Sequence, residues 1–126
     1  MHITLKIALA IPAILFAFIG ANWLLDPATA AQALGMPLLE GAGLSTQIGD
    51  LASFFVAVSS FMLLGIFSQN KTWFYSAAIL LFGTAVFRTV AWGVHGASFE
   101  TASIAIEVIV GALLLFAASK VSSSTS

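Results

Sequence analysis

Four long apolar stretches, divided by polar or turn-forming segments, make up most of the chain. Residues 4–25, 48–67, 72–94 and 99–119 are runs of Ala, Ile, Leu, Val and Phe with few polar interruptions. An α-helix rises 1.5 Å per residue, so each run covers the ~30 Å hydrocarbon core of a bilayer. The expected fold is all-α: one integral membrane domain, a four-helix bundle in up-down-up-down order. Residues 68–71 form a tight polar turn, which makes the second and third spans antiparallel neighbours.

The longest break, residues 26–47, has its own pattern. Asp26 followed by Pro27 is a helix start, with a capping carboxylate and a residue whose fixed φ suits the first turn. Residues 28–34 then form a short interfacial helix ended by Gly35. Pro37, Gly41 and Gly43 mark residues 36–46 as a loop, and a connection of this length commonly covers a site. Elsewhere, Pro12 is expected to bend the first span, Ser98 to cap the fourth, and Glu100 to sit in the fourth helix's first turn. Residues 121–126 form an expected disordered tail. Ala28-Thr29-Ala30 looks like a leader-peptide cleavage motif. However, the apolar run at 7–25 is longer than a leader's hydrophobic region and its charged flank is weak, so it reads as a true span.

Composition removes the soluble alternatives. Of the 126 residues, 60% are hydrophobic and 7% charged, against about a quarter charged in a soluble domain. No water-soluble fold of this size hides so much apolar surface, so lipid is the solvent. A net charge of -1 without a basic cluster excludes a nucleic-acid surface. The absence of cysteine excludes disulfides, Cys-ligated metals and thiol nucleophiles.

The few charges set an orientation. With four spans, Lys6, Lys71 and Lys120 fall on one side, while Asp26, Glu40, His95 and Glu100 fall on the other. The positive-inside rule then puts both termini in the cytoplasm. In this frame Asp50, Arg88 and Glu107 all lie in the outer half of the membrane, and the inner half is nearly pure hydrocarbon.

Arg88 is the costly residue. An unpaired charge near the bilayer centre costs about 2.5–3.5 kcal/mol on insertion scales, so the guanidinium is expected to face the bundle. Its expected partners form a buried ion-pair cluster of Arg88, Glu107 and Asp50. Glu107 is the closer of the two because consecutive helices adjoin, and Asp50 either joins as a second partner or faces the outer mouth. Asp50 belongs to a stripe of polar or small residues on the second span (Gln47, Asp50, Ser53, Ala57, Ser60), opposite an apolar face of Leu51, Phe55, Val58 and Met62. The fourth span carries Glu100, Ser103, Glu107 and Gly111 on one face.

Two readings compete. In the first, the cluster only fixes helix packing, and the protein is an accessory or interaction subunit of a membrane complex, or a homo-oligomer, with no catalysis of its own. In the second, the cluster is the polar end of an outer-half pocket for a quinone, lipid or other small amphiphile. Asn22, Trp23, Gln47, Asp50, Arg88, Trp92 and Glu107 would line it, since small-molecule sites combine apolar walls with a few convergent polar groups. A path through the membrane is disfavoured because the inner half lacks polar groups. His95 with the scattered acids has no recognised ligand spacing, so no metal is expected. No nucleophile motif stands out, so no enzyme is expected.

The runs Asn22-Trp23-Leu24-Leu25-Asp26-Pro27 and Ala31-Gln32-Ala33-Leu34-Gly35-Met36-Pro37, with Gly49-Asp50 early in the second span, carry a resemblance. With Arg88 late in the third span and Glu107 in the fourth, the chain resembles small four-helix bacterial membrane proteins of the DoxX-like type. The resemblance implies a four-helix bundle in a bacterial inner membrane. Some of these proteins are similar to subunits of membrane redox systems that act near quinones. No catalytic residue carries over.

Overall fold

The computed structural model describes residues 1–121; the expected tail, but for Val121, lies outside them. Five helices follow in order: α1 Ile3–Leu25, α2 Pro27–Ala33, α3 Gly41–Ser68, α4 Lys71–His95 and α5 Thr101–Ser119. All but α2 are long and apolar enough to cross a membrane. The protein is an all-α four-helix bundle of the multi-pass membrane class, with α2 as the short helix between the first two spans.

Local chemistry sets most of the boundaries. Asp26 ends α1 and starts α2: its carboxylate accepts from the Thr29 amide (3.4 Å) and the Thr29 hydroxyl (2.7 Å), with Pro27 in the first turn. Gly35 turns the chain away from α2 at φ +71°, a conformation open to glycine because it has no Cβ. Between α3 and α4, Gln69 adopts the left-handed conformation and Asn70 caps α4 by accepting from the Thr72 amide at 3.0 Å. α1 runs uninterrupted through Pro12.

Two expected boundaries move. α3 begins at Gly41, not near residue 48, so the irregular stretch is only residues 34–40. Beside a membrane an unpaired backbone group is expensive, and helical pairing through residues 41–46 satisfies it despite Gly41 and Gly43. Ser98 does not cap α5. Glu100 occupies the cap position and makes no side-chain cap bond.

The helices pack as α1 on α3 and α4 on α5, with α3 against α4 joining the two pairs. α1 and α5 touch sparsely, so the ring is closed least firmly on that side. Core residues recur at spacings of three and four: Leu9, Ala13, Phe16, Gly20 and Trp23 on α1, and Glu107, Val110, Leu114 and Ala117 on α5, the spacing of a helix-bundle seam. Small residues bring the helices close. A Cβ on Gly65 would lie 2.6 Å from the Phe74 ring, and one on Gly111 2.8 Å from the Phe82 ring. Large apolar side chains such as Ile11, Phe18, Phe67, Ile79 and Ile109 point outward, where the solvent is lipid.

The polar stripe on α3 is divided: Gln47 is buried, Ala57 and Ser60 are half-buried, and its middle turns away from the core. Asp50 and Ser53 are exposed, whereas Phe55, Val58 and Met62 from the expected opposite face are buried. With lipid outside, the apolar face had two equivalent destinations, and tight packing against α1 takes it inward.

Candidate ligand pocket around Arg88 and Glu107

Arg88 and Glu107 meet across α4 and α5. The turn between the helices spans only residues 96–100 and includes Gly96 in the left-handed conformation. Arg88 lies seven residues before the end of α4 and Glu107 six after the start of α5, so each is about 10 Å from the same end of the bundle. Arg88 Nε donates to Glu107 Oε2 at 3.1 Å, the expected closer pair.

The contact uses one donor and one acceptor. Glu107 is buried, with 9% of its side chain exposed, while Arg88 keeps 32%. Glu107 Oε1 is buried with no hydrogen-bond partner among the described residues. The terminal guanidinium nitrogens also make no hydrogen bond to another described residue. A bidentate pair would have engaged both carboxylate oxygens and two guanidinium nitrogens; this one leaves a donor set and an acceptor side by side.

These groups border a cavity of about 110 Å³. Leu15, Phe16 and Ile19 of α1, Phe54 and Phe55 of α3, Leu81 of α4 and Ile106 of α5 form its apolar wall, with Leu34 beyond the end of α2. Ser103, one turn before Glu107, is the other polar side chain in the lining. A second recess of about 220 Å³ shares Leu34, Phe54, Phe55 and Arg88 and extends to Leu51 and Thr84. The guanidinium therefore stands between two lobes, a smaller one toward α1 and α5 and a larger one toward α3 and α4.

The other residues expected at the site are elsewhere. Asp50 is not a member of the ion-pair cluster: Arg88–Glu107 is the single salt bridge among the described residues. Asp50 is exposed and borders a separate crevice with Met36, Leu39, Thr46 and Gln47. The cause is the rotation of α3 that turns Asp50 and Ser53 outward. The Gln47 amide is committed to the chain before α3: its Oε1 accepts from the Leu39 amide and its Nε2 donates to the Pro37 carbonyl, both at 3.0 Å. It pins the loop. Trp23 is fully buried and its indole N–H has no partner among the described residues. Asn22 is half-buried, and its backbone carbonyl accepts from the Asp26 amide at 2.8 Å. Trp92 is exposed and packs on Phe99, ring centres 5.1 Å apart, over the α4–α5 turn. Of the seven expected lining residues, only Arg88 and Glu107 border the two Arg88 recesses.

Two features escape sequence reading. Leu34 enters the wall only because α2 folds back on α1, and a leucine at the end of a short helix carries no signal of that. Ser59 is buried and donates to the Ala13 carbonyl at 2.8 Å, joining α3 to α1. It lies beside the polar stripe rather than on it.

Fold and site together define a multi-pass helical bundle with one ion pair on the wall of an apolar cavity. Neither the family models, nor the curated proteins, nor the solved structures give a significant match to the chain.

Proposed function

We propose that the protein is a non-catalytic bacterial inner-membrane protein that binds a small amphiphile, with Arg88 and Glu107 as the polar end of its pocket. The observation that carries this reading is the half-used ion pair: a buried carboxylate oxygen without a partner, beside unpaired guanidinium donors, on an otherwise apolar cavity wall. A pair whose sole task is to join two helices gains most from full mutual satisfaction, because an unpaired buried acceptor costs about 1–3 kcal/mol or more. The DoxX-like resemblance of residues 22–37 and 49–50 belongs to the same proposal, as do cytoplasmic termini.

The accessory-subunit reading rests on the direct Arg88–Glu107 contact, which ties α4 to α5. Native mass spectrometry of protein released from membranes in mild detergent separates the two readings. A retained small molecule that is lost in the Arg88→Leu/Glu107→Leu variant, with the fold intact, supports binding. A retained polypeptide partner, with no small molecule in either form, supports the accessory role and sinks the binding proposal.

A further inference from the structure

The pocket's chemistry also restricts its occupant; this inference rests on the binding reading above. An ionised carboxylate only accepts hydrogen bonds, and a guanidinium only donates them. A head group that satisfies both must therefore bring one donor, for Glu107 Oε1, and one acceptor, for Arg88. A hydroxyl group has both. Charge argues the same way. Arg88 and Glu107 already neutralise each other, so an anionic head would meet the free carboxylate oxygen and a cationic head the guanidinium, each in a medium of low dielectric where like charges repel strongly. The residues that complete the lining are apolar apart from Ser103, which adds no charge.

Size and access fix the rest of the molecule. An engineered apolar cavity of about 150 Å³ accepts benzene, so 110 Å³ holds a head and its first few carbons but not a long chain. The remainder must leave this lobe, and although the larger recess adjoins it at Arg88, the residues lining the two recesses are exposed on one side only. Leu15 on α1 and Ile106 on α5 both line the cavity and are also 49% and 48% exposed. They lie on the two helices whose mutual contact is sparse. We infer that the ligand is a single-chain amphiphile with an uncharged, hydroxyl-bearing head, which enters between α1 and α5 and leaves its chain in the bilayer.

The test uses three probes with the same chain, 1-decanol, decyl phosphate and decyltrimethylammonium, added to the full-length protein in phosphatidylcholine nanodiscs, with bound probe counted by native mass spectrometry. Decanol is expected to bind wild type at least tenfold better than it binds the Arg88→Leu/Glu107→Leu variant, and at least tenfold better than either charged probe binds wild type. Leu15→Trp and Ile106→Trp are each expected to lower decanol occupancy at least tenfold. Ile11→Trp, on an exposed part of α1 outside the cavity lining, is expected to leave it unchanged. Preference for decyl phosphate or decyltrimethylammonium overturns the uncharged head while leaving the binding site standing. No probe distinguishing wild type from the double variant overturns the binding reading itself. Occupancy unaffected by both rim tryptophans overturns the entry between α1 and α5.

Discussion

At the residue scale, the ion pair is a matter of which partner is removed. Glu107→Leu leaves the Arg88 guanidinium without its counter-charge in the membrane. That variant is expected to lose about 2–3 kcal/mol of stability, on the scale of inserting an unpaired charge. Arg88→Leu leaves Glu107, the more deeply buried partner, as the unpaired charge, and the expected loss is similar. Replacing both by leucine is expected to cost under about 1 kcal/mol, because exchanging a buried pair for apolar side chains is often nearly neutral. Reversible unfolding in mixed micelles measures all four corners of the cycle. A double variant as unstable as the sum of the two singles would show that the 3.1 Å contact contributes nothing. This pair was legible in the sequence, since a charge in an apolar run demands a partner and short connections place α4 beside α5. Which of its two expected placements Asp50 takes, in the cluster or facing outward, was not. Its position depends on the rotation of α3 about its own axis, and with lipid outside, the hydrophobic effect does not decide which face of the helix turns inward.

At the scale of helices, close approach depends on a few small residues. Gly65 and Gly83 both lie inside long helices, but their surroundings differ. A Cβ on Gly65 would overlap the Phe74 ring, which is itself fully buried between helices and has nowhere to move. A Cβ on Gly83 would meet nothing within 4 Å. Gly65→Ala is therefore expected to destabilise by about 1–3 kcal/mol, the usual cost of overpacking. Gly83→Ala is expected to be neutral or to stabilise by up to about 1 kcal/mol, from the gain in helix propensity. Thermal unfolding of both variants in one detergent reads the difference, and equal shifts would refute close α3–α4 packing at this level. The sequence exposed the number and type of the helices because apolar length is a strong signal. It concealed the start of α3, where glycine and proline suggested a loop. The helix extends to Gly41 because backbone pairing outweighs glycine's weak propensity, and Gln47 holds the preceding chain against it.

At the scale of the whole molecule, charge divides the bundle. Lys6 in the first turn of α1, Lys71 at the start of α4 and Lys120 at the end of α5 share one end. Asp26, Glu40 and Glu100 sit at the opposite helix ends. Arg88 lies nearer the acidic end, but its charge is offset by Glu107 inside the bundle, so it adds little to the loop charge that guides insertion. Lysines near span ends favour the cytoplasmic side, so the lysine end is expected inside, with the Arg88 pocket toward the outer leaflet. The chain contains no cysteine, so single cysteines report sidedness without background. Ala28→Cys and Ala97→Cys, at exposed positions of the acidic end, are expected to react with a membrane-impermeant maleimide in intact spheroplasts. Ser68→Cys, exposed at the lysine end, is expected to react only after the membrane is permeabilised. The reverse labelling pattern would place the acidic end in the cytoplasm and move the pocket to the inner leaflet. Its chemistry would be unchanged, but the bilayer leaflet that supplies its ligand would be the other one.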